Sequence, residues 1–319
     1  MAKLAFLFPG QASQYPGMGR DLAEKFPVAR RVFDEADAAL GFSISKVCFE
    51  GTEDDLKLTE NTQPAILTVS IAAFRVLEEK GILPDVVAGH SLGEYSALVA
   101  AGGIDFADAV KLVRKRGKYM QEAVPAGQGA MAAILGLAPA EVHDITKKAA
   151  AGEVVSAANM NSPEQTVISG TAAAVKRAVE IASQSGAKRA VILSVSAPFH
   201  CELMMPAQKH LEADLRNINF HDLRFPLVTN ADAEAITSGN EAREALIRQV
   251  CLPVRWLDSV HDMIESGVHM FVEVGPGKVL SGLMRQIDRA VRCVGVEDSA
   301  SLQAALEKIQ QSRADTAEA

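Results

Sequence analysis

Short unbroken apolar runs alternate along this chain with longer stretches in which apolar residues recur every three or four positions, the mark of strands alternating with amphipathic helices. Residues 3–8, KLAFLF, read as a buried strand stopped by Pro9-Gly10, and a loop rich in Gly and Gln follows, Gly10-Gln11-Ala12-Ser13-Gln14. Helical periodicity then covers about 20 to 40 and 64 to 80, with Pro64 placed at a helix start, where its missing N–H costs nothing. Asp85-Val86-Val87-Ala88 is a second short strand, and it runs through Gly89-His90-Ser91-Leu92-Gly93-Glu94 into an Ala-rich helix over 92–101. A further helix is predicted over 106–121. The texture changes near Pro125-Ala126-Gly127-Gln128-Gly129. From there the pattern predicts strand (130–135), helix (138–150), strand (153–159), strand (165–169), helix (171–185) and strand (188–194), with Asn161-Ser162-Pro163 turning between the middle strands. That β-α-β-β-α-β order is the ferredoxin-like signature. Afterwards the α/β pattern resumes, with helices at 203–214, 241–250 and 255–266 and a strand at Phe271-Val272-Glu273-Val274 closed by Gly275-Pro276-Gly277. The final SRADTAEA is small and polar, and a frayed tail is expected. The reading is an α/β chain with a small inserted domain: residues 1–126 and 198–319 form the larger unit and 127–197 the insert.

Composition narrows the function. In 319 residues, 48% hydrophobic and 23% charged, there is ample material for a large core, and the net charge of −8 argues against general nucleic-acid binding, which needs a basic face. The four cysteines, Cys48, Cys201, Cys251 and Cys293, have no metal-like spacing, and so few in a long chain point to a reducing compartment. The N-terminal apolar run is too short for a signal peptide, and no uncharged stretch reaches the roughly 18 residues of a membrane span. A cytoplasmic protein is expected.

Gly89-His90-Ser91-Leu92-Gly93 fits G-x-S-x-G and joins a predicted strand to a predicted helix. In that context the glycines permit a sharp turn, the serine hydroxyl stands exposed above the sheet, and the next N–H, on Leu92, can hold an oxyanion. A glycine-flanked turn without chemistry fits the same five residues. The serine needs a base, and there are seven histidines. His90 adjoins Ser91 and projects differently, so a structural role suits it better. His143, His210, His221, His261 and His269 lie in polar settings and read as surface residues. His200 follows a strand and the turn Ser194-Val195-Ser196-Ala197-Pro198-Phe199, at the edge of a predicted strand, which makes it the candidate base. An ordinary α/β-hydrolase would run Ser, then acid, then His. Here the only aspartates between Ser91 and His200 are Asp105, Asp108 and Asp144, all in predicted helices, and a long segment follows His200.

On the 106–121 helix the apolar stripe is Phe106, Ala109, Val113 and Met120. Arg116 lies i+3 from Val113 and i−4 from Met120, on the same stripe. Arg114, Lys115 and Lys118 face elsewhere. An inward guanidinium wants an anion, with a carboxylate as its natural fork-shaped partner. An internal salt bridge or a snorkelling side chain would meet the same pattern.

As a set, several segments resemble the malonyl-CoA:acyl carrier protein transacylases of bacterial fatty-acid synthesis. They are Phe8-Pro9-Gly10-Gln11, Gly89 through Tyr95, Arg116-Gly117 with Met120-Gln121, Asn161-Ser162-Pro163, Phe199-His200 and Val274-Gly275-Pro276-Gly277, in order from residue 4 to about 295. The resemblance implies a large α/β-hydrolase-like core carrying a ferredoxin-like insert. It implies Ser91 as nucleophile, His200 as base, and an oxyanion hole from the backbones of Gln11 and Leu92. Arg116 would grip the malonyl carboxylate, and Phe199 is similar to the residue of malonyl-selective members. The histidine would be oriented by backbone carbonyls, one from Gln249, which accounts for the missing acid. No cofactor is implied. The implied partners are malonyl-CoA and an acyl carrier protein, with neither nucleic acid nor membrane, and a monomer is expected. Lys188, Arg189 or Arg285 are candidates for a basic rim facing an acidic carrier. A free-standing transferase loading a polyketide synthase, a Ser-His thioesterase and an inactive carrier-binding module remain as alternatives.

Overall fold

The computed structural model describes residues 3–195 and 197–317. The core opens with β1 (Lys3–Phe8), α1 (Arg20–Lys25), α2 (Pro27–Leu40), α3 (Ile44–Glu50), α4 (Glu53–Lys57) and α5 (Thr59–Glu79). It continues through β2 (Val86–Gly89), α6 (Leu92–Ala100) and α7 (Phe106–Glu122). The small sheet is built from β3 (Gly129–Leu135), α8 (Pro139–Ala150), β4 (Val155–Ser162), β5 (Gln165–Thr171), α9 (Ala172–Gln184) and β6 (Arg189–Ile192). The chain returns to the core as α10 (Met205–Arg216), β7 (Leu227–Val228), β8 (Ala235–Ile236), α11 (Gly239–Gln249) and α12 (Trp256–Glu265). It closes with β9 (Val268–Val274), α13 (Val279–Ile287), β10 (Arg292–Val296) and α14 (Ser299–Ala317).

The large sheet has the order β10-β9-β1-β2-β7-β8, parallel except for the edge hairpin β7–β8. β1 lies inside it and reads as a continuous apolar run because both its faces are covered. Alternate residues feed opposite layers: Leu4, Phe6 and Phe8 join the helical cluster of α2, α5 and α7, whereas Ala5 and Leu7 pack with Trp256, Phe271 and Met284 on the other face. The small sheet has the order β4-β5-β3-β6, antiparallel throughout, with α8 and α9 packed on its apolar face, as the ferredoxin-like pattern requires.

The two sheets are stitched through β4. Met160 N–H donates to Val254 O at 2.9 Å and Val254 N–H to Ala158 O at 2.8 Å, while Ser162 Oγ donates to Gln286 Oε1 at 3.1 Å. The parallel strands of the core all end on the side where β4 docks, so the loops after β1, β2 and β7 meet there.

Besides leaving out β7, β8 and β10 and placing Asn161-Ser162 in a turn where β4 runs to Ser162, the sequence reading differs from the structure at Pro64, at His200 and at the C-terminal tail. Pro64 does not start its helix: α5 begins at Thr59, where Leu58 O accepts from both Asn61 N–H (2.7 Å) and Thr62 N–H (2.8 Å), a tight first turn that precedes the proline. β6 stops at Ile192, so His200 sits on an irregular connection and not at a strand edge. The expected frayed tail is helical to Ala317, since Leu302, Ala305 and Ile309 of α14 pack into the core; residues 318–319 of that tail, and Ser196 of the turn before His200, lie outside the described residues.

Candidate active site

The loop between β2 and α6 is a strained turn. Ser91 has φ 52° and ψ −105°, a conformation that L-residues rarely hold. The glycines on either side are demanded by contact. A Cβ on Gly89 would stand 2.0 Å from the Gly93 carbonyl, and one on Gly93 would stand 2.0 Å from Phe8 O. The turn therefore folds back on itself and against the end of β1. Phe8 pairs with Gly89 in the sheet, and Gly10 packs on the His90 carbonyl. This brings Gln11 and Leu92 into neighbouring loops. As the first residue of α6, Leu92 has no intrahelical acceptor for its N–H.

His200 is 3% exposed and also has positive φ, at 58°. Its Nε2 lies 2.7 Å from Ser91 Oγ, and its Nδ1 lies 2.9 Å from the Gln249 carbonyl. A carbonyl only accepts, so Nδ1 carries the proton and Nε2 presents its lone pair to the serine hydroxyl. Burial first, and the Arg116 charge second, push the His200 pKa from its ordinary 6.5 down to about 3, so the ring is neutral at pH 7. Among the described residues no aspartate or glutamate is hydrogen-bonded to it.

Arg116 is 0% exposed, on the buried stripe of α7 with Phe106, Ala109, Val113 and Met120. Nη1 donates to Gln63 Oε1 at 2.8 Å; Nη2 donates to Gln249 Oε1 at 3.0 Å and to Ser91 Oγ at 3.2 Å; Nε has no partner. Its ring neighbour is Tyr95, 5.3 Å away. Among the described residues no carboxylate is hydrogen-bonded to it. Neither the internal salt bridge nor the snorkelling side chain is realised: the guanidinium is buried beside the Ser91 hydroxyl and hydrogen-bonded only to neutral oxygens. Burial lowers its pKa, and Tyr95 and Glu94 oppose that shift.

Phe199 is buried against this site at 8% exposure. His90 turns away from the hydroxyl, with Nε2 2.8 Å from Asn161 Oδ1 of β4 and its ring against Trp256. The remaining histidines, His143, His210, His221, His261 and His269, are exposed. Lys188 is ion-paired with Glu164 at 2.7 Å, while Arg189 and Arg285 are exposed. The four cysteines are free thiols. Among the described residues no group of three or more His, Cys, Asp or Glu is arranged to hold a metal, and no helix is long and apolar enough to cross a membrane.

Three site residues escaped the sequence reading. Gln63 was set outside the helix by placing the start at Pro64. Glu94 was read only as part of a motif; it is fully buried, accepts from Asn230 N–H at 3.0 Å and Gln249 Nε2 at 2.9 Å, and burial raises its pKa to about 7. Asn230 lies two residues after the two-residue strand β7, too short to stand out as a periodic segment; the polar pair Thr229-Asn230 after the apolar pair Leu227-Val228 is the signal that was there.

Comparison with known proteins adds the following. Residues 5–312 match the family described as acyl transferase domain. A Bacillus subtilis protein named malonyl CoA-acyl carrier protein transacylase is 49% identical over 312 residues, 98% of each chain. The crystal structure of a Vibrio cholerae acyl carrier protein S-malonyltransferase superposes with TM-score 0.93 at 48% identity, covering 95% of this chain and 99% of that one. A malonyl-transacylase solved in complex with a type II PKS acyl-carrier protein superposes with TM-score 0.94 at 47% identity, covering 96% and 100%.

Proposed function

The chain belongs to the acyl transferase domain family, and from that membership we propose that it transfers the malonyl group of malonyl-CoA to the phosphopantetheine thiol of an acyl carrier protein, supplying fatty-acid synthesis. One observation carries the choice of acyl group: a fully buried guanidinium, 3.2 Å from the serine hydroxyl, that lacks a carboxylate.

In this reading Ser91 is the nucleophile and His200 the general base. Nε2 takes the hydroxyl proton as Oγ attacks the thioester carbonyl, and the oxyanion rests on the N–H groups of Gln11 and Leu92. The tetrahedral intermediate collapses with loss of coenzyme A, whose sulfur takes the proton from His200. Malonyl-Ser91 remains, its carboxylate held by Arg116 and its chain bounded by Phe199. The carrier's thiol then gives its proton to His200, attacks the ester and leaves as malonyl thioester, so that Ser91 and His200 are regenerated. Gln249 holds the histidine in the required tautomer through its carbonyl, the role an acid has elsewhere. The reaction needs no cofactor besides its two substrates. A cytoplasmic location follows from carrier-dependent synthesis and from four free thiols. The division into a core of residues 1–126 and 198–319 around a small domain of 127–197 is part of the same reading; all four strands of the second sheet lie between Gly129 and Ile192.

Intact mass after mixing with malonyl-CoA alone tests this directly. An adduct of about 86 Da, absent from Ser91→Ala, is expected for a covalent acyl-enzyme. No adduct with malonyl-CoA left intact overturns the reading. Hydrolysis of malonyl-CoA without a carrier, at the rate of transfer, would make the protein a thioesterase.

A further inference from the structure

The strained geometry of Ser91 has to be held by something outside the loop. β7 runs parallel to β2, with Val87 beside Leu227 and Ala88 beside Val228, and this register carries Asn230 alongside the turn that follows β2. Asn230 is 0% exposed. Its Oδ1 accepts the Ser91 N–H at 2.7 Å, and its Nδ2 donates to the Gly89 carbonyl at 2.6 Å. The one amide thus bridges the residue that enters the turn and the residue at its apex. Asn230 is itself fixed from three sides. Its N–H donates to Glu94 Oε2 at 3.0 Å, its carbonyl accepts from Arg255 N–H at 3.0 Å, and its Oδ1 also accepts from Gln249 Nε2 at 3.3 Å.

We propose that Asn230 is a positioning residue for the transfer reaction: it clamps Gly89 and Ser91 across the turn and so keeps the Ser91 hydroxyl in line with His200. A backbone at φ 52°, ψ −105° is strained and persists only where its surroundings over-determine it. The Ser91 N–H is excluded from the helix ladder, and buried N–H groups require an acceptor. Only a side chain with one acceptor and one donor on a single planar group satisfies both ends of the turn, which selects an amide over a carboxylate. Among the described residues no hydrogen bond joins Asn230 to Ser91 Oγ, to His200 or to Arg116, so it sets the rate of attack and not the choice of acyl group.

The proposal rests on Ser91 as nucleophile, and the adduct experiment with wild type and Ser91→Ala is done first, so that failure of that reading is seen separately. Rapid-quench acylation by malonyl-CoA is then followed in Asn230→Ala, with adduct amplitude and rate constant recorded apart. The amplitude is expected to stay near that of wild type while the rate constant falls on the order of 10²-fold, the penalty of misplacing a reacting group by about 1 Å. KM for malonyl-CoA should move less than about threefold, since substrate contacts are untouched. A merely structural role gives the opposite split, a reduced amplitude with the surviving fraction reacting at the wild-type rate, and overturns the proposal. So does an unchanged rate.

Should Asn230→Ala fold poorly, Asn230→Asp keeps the shape and the Ser91 acceptor but loses the donor to Gly89. Protonating the introduced carboxyl restores that donor, so the rate relative to wild type should rise as pH falls from 8 to 5. Glu94 accepts from Asn230 N–H, is acted on by Arg116 and Asp232, and has its own pKa of about 7, so the comparison is repeated in a Glu94→Gln background, where the introduced carboxyl is the group that titrates. A ratio independent of pH, with the rate at the wild-type level, overturns the clamp.

Discussion

Removing the Arg116 side chain should change which acyl group is moved and leave the chemistry in place. The guanidinium is fully buried, gives its Nη hydrogens to Gln63 Oε1, Gln249 Oε1 and Ser91 Oγ, and leaves Nε unpartnered. A malonyl carboxylate replaces weak neutral acceptors with a fork-shaped anion in a dry pocket. An acetyl group brings nothing to the guanidinium and leaves it as it is in the free protein. In Arg116→Ala the malonyl carboxylate enters without a counter-charge, and breaking one side of a buried pair costs about 3–5 kcal/mol. At about 1.4 kcal/mol per tenfold this is a loss on the order of 10²–10³ in kcat/KM for malonyl-CoA. For acetyl-CoA the same substitution should change kcat/KM by less than about threefold, because removing a desolvated charge that acetyl never used is nearly neutral. Arg116→Lys should fall between, since a point charge cannot make the bidentate pair. The assay is transfer to the carrier protein from each donor, read by intact mass of the carrier, with circular dichroism showing that the fold is retained. Equal losses with the two donors would refute the reasoning, for they would mean that Arg116 acts through Ser91 or through folding.

Gly93→Ala places a Cβ 2.0 Å from Phe8 O, backbone against backbone, and is expected to cost about 3 kcal/mol or more in urea unfolding; a stable, active variant would mean that the close approach is not real. Because burial holds His200 near a pKa of about 3, its base form persists through pH 5, and the acid limb of kcat/KM for malonyl-CoA should lie well below 6.5; a limb at 6.5 would contradict its burial. The sign for stability follows: the folded pKa is depressed, so the unfolded chain binds the extra proton, and the His200 contribution is full above 6.5 and is lost as pH falls toward 3. His200→Gln should remove that part of the acid slope in urea titrations. Arg285 is exposed beside Gln286, which bonds Ser162 at the seam between the sheets; Arg285→Glu should raise KM for an acidic carrier several-fold and leave adduct formation from malonyl-CoA unchanged, and an unaltered carrier KM removes it from the docking surface.

What the sequence made legible was whatever local physics determines. The run KLAFLF, closed by Pro9-Gly10, read as a short buried strand, and the spacing of Arg116 from Val113 and Met120 placed a cation on an apolar stripe. The β-α-β-β-α-β order was legible because each element is long enough to show its period. Asn230 was not, because β7 is only two residues long and its meaning comes from lying beside β2, which is a tertiary fact. Gln63 was hidden by Pro64, whose usual place at a helix start drew the boundary one residue too late to include it. β10 carries Arg292, Cys293 and Gly295 at a sheet edge, where neither alternation nor an apolar run is required, and it left no strand signal.

The parts of the site are not independent, and Gln249 is where they meet. Its main-chain carbonyl fixes the His200 tautomer at 2.9 Å; its Oε1 accepts from Arg116 at 3.0 Å; its Nε2 donates to Ser91 O and to Glu94 Oε2, each at 2.9 Å. His200, Arg116 and the Ser91 turn therefore share one buried residue. Gln249→Ala keeps the carbonyl, so the histidine stays oriented, but Arg116 loses its tether and the turn loses a donor. Its effect on malonyl transfer should then depend on whether Arg116 is present. In a double-mutant cycle of Gln249→Ala with Arg116→Ala, contacting residues couple by about 0.5–3 kcal/mol, so the double variant should be less impaired than the sum of the two losses. For acetyl transfer, where Arg116 is idle, the coupling should nearly vanish. Strict additivity with malonyl-CoA would mean that the 3.0 Å contact does not position the guanidinium, and that the shape of the pocket, not this amide, aims it at the carboxylate.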